Sequence, residues 1–207
     1  MATIREQIDY VNALKTNTFT DTQKLGWINE VEQSVKEEVM RTFLSTSIQR
    51  IANTSEYSLP TGVVFEDIET VYFNGKEADK LDQRSFLDGT TSGDTGYFKP
   101  TTSNKIAVNP TPTVSDDSAT PLVKVIYLEK FTPYTSSNSY GTTLLITKPQ
   151  HLKVYTFYLM AQMALHNKEY EDYNNQIIQF NSAWKDFANW YMSRQPVSKS
   201  AVVRNIW

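Results

Sequence analysis

Apolar residues recur at helical spacing through the first part of the chain. A capping box at Thr3 and Glu6, in which a hydroxyl and a carboxylate satisfy free backbone N–H groups, predicts the start of a short helix over about 3–15. A second start signal at residues 20–23 precedes a longer apolar series, which predicts a helix over about 21–52. That second helix would be roughly 48 Å long.

The middle of the chain changes to β-branched and aromatic residues broken by turn residues. Asn74-Gly75, a pair that favours tight hairpin turns, follows one such run. The pattern predicts an antiparallel β-rich insertion over about 56–147. Within it, the stretch 132–141 is rich in Ser, Thr, Asn and Tyr, and we predict that it is the tip of a long hairpin between strands at 122–129 and 142–147.

Helical periodicity then returns and predicts two more helices. The first, over about 149–166, is apolar on nearly every side, which indicates burial. The second, over about 168–193, carries an apolar seam at alternating spacings of three and four residues, the period of a coiled coil. We therefore predict an α+β fold: a helical bundle from the N- and C-terminal helices, with the β region and its long hairpin inserted between them, as a single domain over 1–193.

The segment 194–207 differs from the rest of the chain in charge. It contains three basic residues and no acidic one, so it carries +3, whereas the rest of the chain carries −6. Its apolar side chains gain little in water and much in a protein pocket, which favours an extended arm that docks on another subunit. An ordinary frayed terminus is the alternative. The residues expected to carry the docking are Arg194, Val202, Val203, Arg204, Ile206 and Trp207.

Composition narrows the function classes further. The chain has no cysteine, which excludes thiolate catalysis and Cys-ligated metal sites, and its two histidines disfavour a His-rich metal site. Carboxylates form adjacent pairs at 37–38, 116–117 and 171–172, and neighbouring helix positions do not face each other, so acid–base catalysis has little support. No apolar run can span a bilayer, and the net charge of −3 argues against a general nucleic-acid surface. We predict no enzymatic activity, no cofactor, no metal site and no membrane contact.

Two aromatic residues in the stretch 132–141 are candidates for contact with another protein. Tyr134 and Tyr140 are expected to be exposed on the predicted hairpin tip, where aromatic side chains give a large contact area at low entropic cost. A plain surface loop explains them equally well.

Several short motifs also follow one another in a distinctive order. They are an amphipathic helical start at 21–39, Tyr57-Ser58-Leu59-Pro60, the hairpin Val71-Tyr72-Phe73-Asn74-Gly75-Lys76-Glu77, Tyr97-Phe98, Ile106-Ala107-Val108-Asn109-Pro110-Thr111-Pro112, a strand ending in Tyr127, and two terminal helices rich in Tyr, Ala and Phe. In this order they resemble the head–tail connector (adaptor) proteins of tailed bacteriophages. The resemblance covers about 20–193.

The resemblance implies a structural virion protein without catalytic activity. Members of this family assemble, usually as twelve copies, into a ring beneath the portal protein, which extends the DNA channel and is a platform for the next tail or ring protein. DNA would pass through during ejection without sequence-specific binding, and 194–207 would dock on the portal or on a neighbouring copy. The protein would be made in the host cytoplasm and act at the head–tail junction of the virion. The alternative is a host- or carbohydrate-binding tail subunit that uses Tyr134 and Tyr140.

Overall fold

The computed structural model is an α+β structure made of two compact units. The helical unit comprises Met1–Arg41 and Lys130–Trp207, and the β unit comprises Thr42–Glu129. The region 1–193, predicted as one domain, contains most of both units. The β unit begins at Thr42 and ends at Glu129, earlier than the predicted bounds of 56 and 147. The residues that the structure describes are 2–73, 76–81, 96–100, 104–109, 111, 123–135 and 137–195.

The helices of the helical unit begin within four residues of the predicted starts at about 3, 21, 149 and 168. They are α1 Ile4–Leu14, α2 Asp21–Ser34, α3 Lys153–His166 and α4 Tyr170–Met192. The Thr3 hydroxyl accepts a hydrogen bond from the Glu6 N–H at 3.2 Å, and the Glu6 carboxylate accepts one from the Thr3 N–H at 2.8 Å. Thr20 and Gln23 repeat this arrangement at the start of α2. Both caps satisfy N–H groups that have no partner inside the helix, and the two predicted starts are confirmed.

The predicted helix over 21–52 is wrong beyond residue 39. After α2 the chain makes a π-helical stretch, Val35–Val39, and Phe43–Ile48 then forms strand β1. β1 pairs in antiparallel register with a strand near the end of the β unit, Val123–Leu128. Phe43 and Ile48 lie at the two ends of β1. Their positions also fitted the helical spacing of apolar residues on which the predicted helix over 21–52 was based. Cross-strand pairing of the aromatic, β-branched and hydroxyl side chains of β1 outweighs that local periodicity.

α3 is buried on several sides, as the sequence predicts, whereas α4 is not. The side chains of α3 that are completely buried include Val154, Tyr155, Leu159 and Met163. α4 packs against α3, but Ala183 and Phe187 are its two buried residues. Tyr170 and Ile178 each expose 62% of their surface. α4 therefore presents apolar surface that the described residues leave partly open.

Two four-stranded sheets are described in the β unit. The strands are β1 Phe43–Ile48, β2 Glu56–Ser58, β3 Ile68–Phe73, β4 Lys76–Glu77, β5 Asp79–Lys80, β6 Gly96–Phe98, β7 Lys105–Asn109 and β8 Val123–Leu128. One sheet has the order β1-β8-β3-β4 and the other β2-β7-β6-β5, and the pairing is antiparallel except between β5 and β6. Phe73 pairs with Lys76, the register that a two-residue turn gives, and the predicted turn Asn74-Gly75 lies outside the described residues.

The long hairpin predicted around 132–141 does not form. β8 pairs with β1 on one side and with β3 on the other, so 142–147 has no free edge of β8 to pair with. Instead, Ser137–Gly141 is a 3₁₀ helix, and Leu144 and Ile146 are buried in the core of the helical unit. The run Leu144-Leu145-Ile146 between threonines resembled a strand, but the side chains of Leu144 and Ile146 pack within a helical core.

Candidate assembly surfaces

The predicted docking arm begins at the end of α4. The Arg194 guanidinium lies 4.7 Å from the centre of the Trp190 ring and donates a 3.3 Å hydrogen bond to the Trp190 carbonyl oxygen. A cation at this position complements the negative end of the helix dipole and the face of the ring. The structure thus holds Arg194 on its own helix. The other predicted docking residues, Val202, Val203, Arg204, Ile206 and Trp207, lie outside the described residues.

The two predicted contact tyrosines are half-buried within the helical unit. The backbone N–H and carbonyl oxygen of Tyr134 bond to the side-chain amide of Asn29, each at 3.0 Å. The Tyr134 hydroxyl donates to Glu32 at 3.1 Å. The ring of Tyr140 lies 4.6 Å from the Arg5 guanidinium. Both tyrosines therefore hold their segment against α1 and α2.

Tyr134 is part of a buried hydrogen-bond cluster centred on Glu32. The Glu32 side chain is fully buried and accepts hydrogen bonds from the Tyr155 hydroxyl, the Tyr134 hydroxyl and the Leu145 N–H, the last at 3.0 Å. Burial raises the pKa of Glu32, because the charged carboxylate loses its water, while the hydrogen bonds lower it in part. Burial also raises the pKa of Tyr155 well above its usual range, so its hydroxyl keeps the proton that it donates.

The position of Glu32 in the sequence indicates its burial, although Glu32 was not among the predicted site residues. It lies four residues after Ile28 and three before Val35, so it occupies the apolar stripe of α2 rather than its polar face. A carboxyl at such a position requires hydrogen-bond donors around it, because burying it without them is costly. The cluster fixes how α2, α3 and the segment around Leu145 pack together.

An acidic groove lies between α2 with its π-helical continuation and α4. It has a volume of about 420 Å³ and is lined by the rings of Tyr158, Phe180 and Trp184 and by the carboxylates of Glu30 and Glu38. Glu30 accepts a hydrogen bond from the Tyr158 hydroxyl, and Glu38 is exposed. Within the part of the chain that the structure describes, neither carboxylate forms an ion pair. We call this surface the acidic groove.

A more apolar groove lies between α1 and α3. It has a volume of about 550 Å³, and Tyr10, Leu14, Phe157 and Met160 are among the residues that line it. Tyr10 exposes 54% of its surface and Leu14 exposes 50%. Clustered apolar exposure of this kind marks contact surfaces in proteins. We call this surface the apolar groove.

The two histidines are packed among aromatic rings. The ring centre of His151 lies 5.8 Å from that of Phe187 and 4.8 Å from that of Trp190, and burial lowers the pKa of His151. His166 stacks on Trp27 with ring centres 5.4 Å apart. Among the described residues, no group of three or more His, Asp or Glu side chains is placed to hold a metal ion.

One carboxylate of each adjacent pair that the structure describes lies in an ordinary surface ion pair. Asp172 accepts a 2.7 Å hydrogen bond from Lys15, which lowers the pKa of Asp172, and Glu37 lies 3.6 Å from Lys130. The pair at 116–117 lies outside the described residues. None of the helices described combines the length and the apolar composition that a bilayer crossing requires.

Comparisons with known proteins place the chain in a protein family. No curated protein matches the chain. The model of one family, described as SU10 adaptor protein, matches residues 2–201. The match includes α1 and the first part of the 194–207 arm, beyond the region of about 20–193 that carries the motif resemblance. The chain belongs to the SU10 adaptor protein family, a family of bacteriophage head–tail adaptors.

Proposed function

We propose that this chain forms a ring between the portal protein and the tail, where it extends the DNA channel and gives the next tail or ring protein a surface to attach to. The observation that carries the proposal is the match of an adaptor family model to residues 2–201. A phage adaptor family implies a structural role at the head–tail junction and association with portal and tail proteins. The ring, its twelve copies and the passage of DNA during ejection are the proposed details of that role.

The exposed apolar surface of the helical unit supports contact between copies. A closed ring needs two different faces on each subunit, because each head-to-tail contact joins one patch to another. Tyr10 and Leu14 of the apolar groove supply one exposed apolar face, and Ile178 of α4 contributes to a second. Gln176 also lines the apolar groove, and Ile178, two positions further along α4, points away from it.

The charge distribution supports a channel through which DNA passes without being held. Every phosphate that a Lys or Arg neutralises adds salt-dependent affinity for DNA. The chain outside 194–207 has a net charge of −6. A ring of such subunits would release DNA readily, and it would need no sequence-specific contact.

Deletion of 196–207 should leave the helical unit folded and weaken its attachment to the portal. The described core of this unit ends at Phe187, so the deletion removes no described core side chain. We expect the unfolding midpoint, followed by circular dichroism, to change by less than about 3 °C, the shift that roughly 1 kcal/mol produces in a chain of this size. We expect binding to immobilised portal protein to fall at least tenfold, roughly 1.4 kcal/mol.

Substitutions within the arm sharpen this experiment. Ile206→Ala with Trp207→Ala tests the apolar anchors, and Arg204→Gln tests the charge, while Val202 and Val203 remain in place. Unfolding of the truncated chain would assign the arm to the core, and unchanged portal binding would remove its docking role.

The ring itself is tested by assembly on the portal. We expect the isolated chain to sediment as a monomer and to oligomerise only when portal protein is added, with native mass spectrometry giving twelve copies. Imaging of intact particles should locate the ring at the head–tail junction. Failure to bind the portal, together with absence from the junction, would overturn the proposal.

The host- or carbohydrate-binding alternative depends on exposed tyrosines. Tyr134 donates a hydrogen bond to buried Glu32, and the ring of Tyr140 lies against Arg5. These contacts favour a role for both side chains in holding their segment to the helices. Alanine substitutions there should therefore lower stability, whereas a ligand-binding role would leave stability unchanged.

A further inference from the structure

We propose that, in the unassembled subunit, the segment 199–207 folds back into the acidic groove of its own chain. The proposal rests on the opposite charges of the groove and the segment, on the length of the arm, and on the aromatic side chains that line the groove. It does not depend on the portal contact proposed above, and its experiment contains no portal protein.

The acidic groove combines aromatic surface with negative charge that no described cation neutralises. The ring centres of Tyr158 and Phe180 lie 5.1 Å apart, and those of Phe180 and Trp184 lie 6.0 Å apart, so the three rings form one continuous surface. Glu30 and Glu38 add two carboxylates to it. A fitting occupant is therefore apolar and basic at once, because the rings take aliphatic or cationic groups and the carboxylates take cations.

The segment 199–207 has this chemistry. Its charged side chains are Lys199 and Arg204, and it contains no acidic side chain. Its apolar side chains are Ala201, Val202, Val203, Ile206 and Trp207. Two cations thus match two carboxylates, and the apolar residues between and after them match the rings.

The arm is long enough to reach the groove of its own chain. Trp184 lies eight residues before the end of α4 at Met192, which is about 12 Å along the helix axis. Residues 193–195 continue α4 as turns, which adds about 4.5 Å, and the seven residues 196–202 span up to about 23 Å when extended. Pro196 cannot continue the helix, so the chain can turn back there. A short tether also gives the arm an effective concentration of about millimolar, so docking within one chain is favoured over docking between chains.

Docking within the chain would cover the apolar and basic side chains of the arm before assembly. A portal site would then have to compete with the groove, and the arm would be released as the subunit joins the particle. Docking of this kind would keep the apolar, basic arm from contacting other chains before its partner is present.

The absence of cysteine allows a direct test on the full chain. Ser200→Cys provides a unique attachment site for a nitroxide label. We expect the label to broaden the indole N–H signal of Trp184 in an NMR spectrum, relative to the same sample after the nitroxide has been reduced. Dilution should not change the effect, because the contact is within one chain.

Two outcomes of this measurement would overturn the proposal. An unbroadened Trp184 signal would show that the arm does not occupy the groove. Broadening in a mixture of labelled chains with isotope-labelled, nitroxide-free chains would show that the arm docks on a second copy instead of its own chain.

Charge reversal tests the pairing that the proposal requires. Glu38→Lys and Arg204→Glu should each weaken docking about fivefold, the upper range for an exposed ion pair, and the double variant should restore it. Glu171→Lys is the matched control, because Glu171 is an exposed carboxylate in the first turn of α4, away from the groove. If Glu171→Lys weakened docking as much as Glu38→Lys, the effect would come from the net charge of the chain. The proposed pairing of Glu38 with Arg204 would then be wrong.

Discussion

Glu32→Ala should lower the free energy of unfolding by about 3 kcal/mol, because it leaves buried donors without an acceptor. The Tyr155 hydroxyl and the Leu145 N–H both lose their partner in a site that water does not reach. Tyr134 is half-buried and its hydrogen bond to Glu32 is partly buried, so the loss there is smaller. Small domains have a total stability of about 5–15 kcal/mol, so this change is a large fraction. Urea unfolding followed by circular dichroism measures it.

Glu38→Ala is the matched control for this loss. Glu38 lies six residues further along, is exposed and has no ion-pair partner in the described part of the chain. Its substitution should change the free energy of unfolding by less than about 0.5 kcal/mol. If the two variants lost equal stability, the buried cluster would contribute nothing beyond a surface carboxylate.

Glu32→Gln separates the charge of Glu32 from its hydrogen bonds. Because burial raises the pKa of Glu32 in the folded chain above its unfolded value, its protonated form contributes stability below the unfolded pKa, about 4.3, and this contribution is lost as pH rises through the folded pKa. Gln does not titrate. The stability of Glu32→Gln relative to the wild type should therefore increase as pH is raised from 4 to 7, on the order of a kilocalorie. A constant difference would mean that Glu32 does not titrate differently on folding.

Local signals in the sequence predicted the elements that local chemistry determines. The capping boxes at Thr3 and Thr20 fix helix starts within four residues of chain, and they are found where predicted. The nearly continuous apolar surface of α3 predicted its burial correctly. Each of these features is decided by neighbouring residues, so a single sequence contains the information.

Features decided by distant residues could not be predicted in the same way. β1 is a strand because β8 lies beside it, although its apolar spacing also fits a helix. The three donors to Glu32 are 102, 113 and 123 residues away along the chain. Tyr134 was predicted to be exposed for the same reason. Its partner Glu32 lies on α2, and the sequence alone does not show what packs against that helix. The acidic groove is a further case, because Phe180 and Trp184 of α4 lie next to Glu30 of α2 only through tertiary packing.

Phe187→Ala should be the most damaging change in α4, with a loss of about 3–5 kcal/mol in the free energy of unfolding. Phe187 is fully buried, and its ring contacts those of His151, Trp184, Trp190 and Tyr191. Because Ala183 is the other buried residue of α4, a cavity at this position removes the largest side chain that α4 buries. Amide hydrogen exchange should therefore accelerate in α4 more than in α3.

Ile178→Ala distinguishes this anchor from apolar content in general. Ile178 lies on the same helix, exposes 62% of its surface and should change stability by less than about 0.5 kcal/mol. A loss below about 1 kcal/mol for Phe187→Ala would mean that the half-buried rings of Phe180 and Trp184 hold α4 instead. Phe180 and Trp184 line the acidic groove. If Phe187→Ala loosens α4, the indole N–H signal of Trp184, which the arm-docking experiment measures, should therefore change as well. The stability of α4 and the integrity of the groove are therefore expected to change together, because one buried ring supports both.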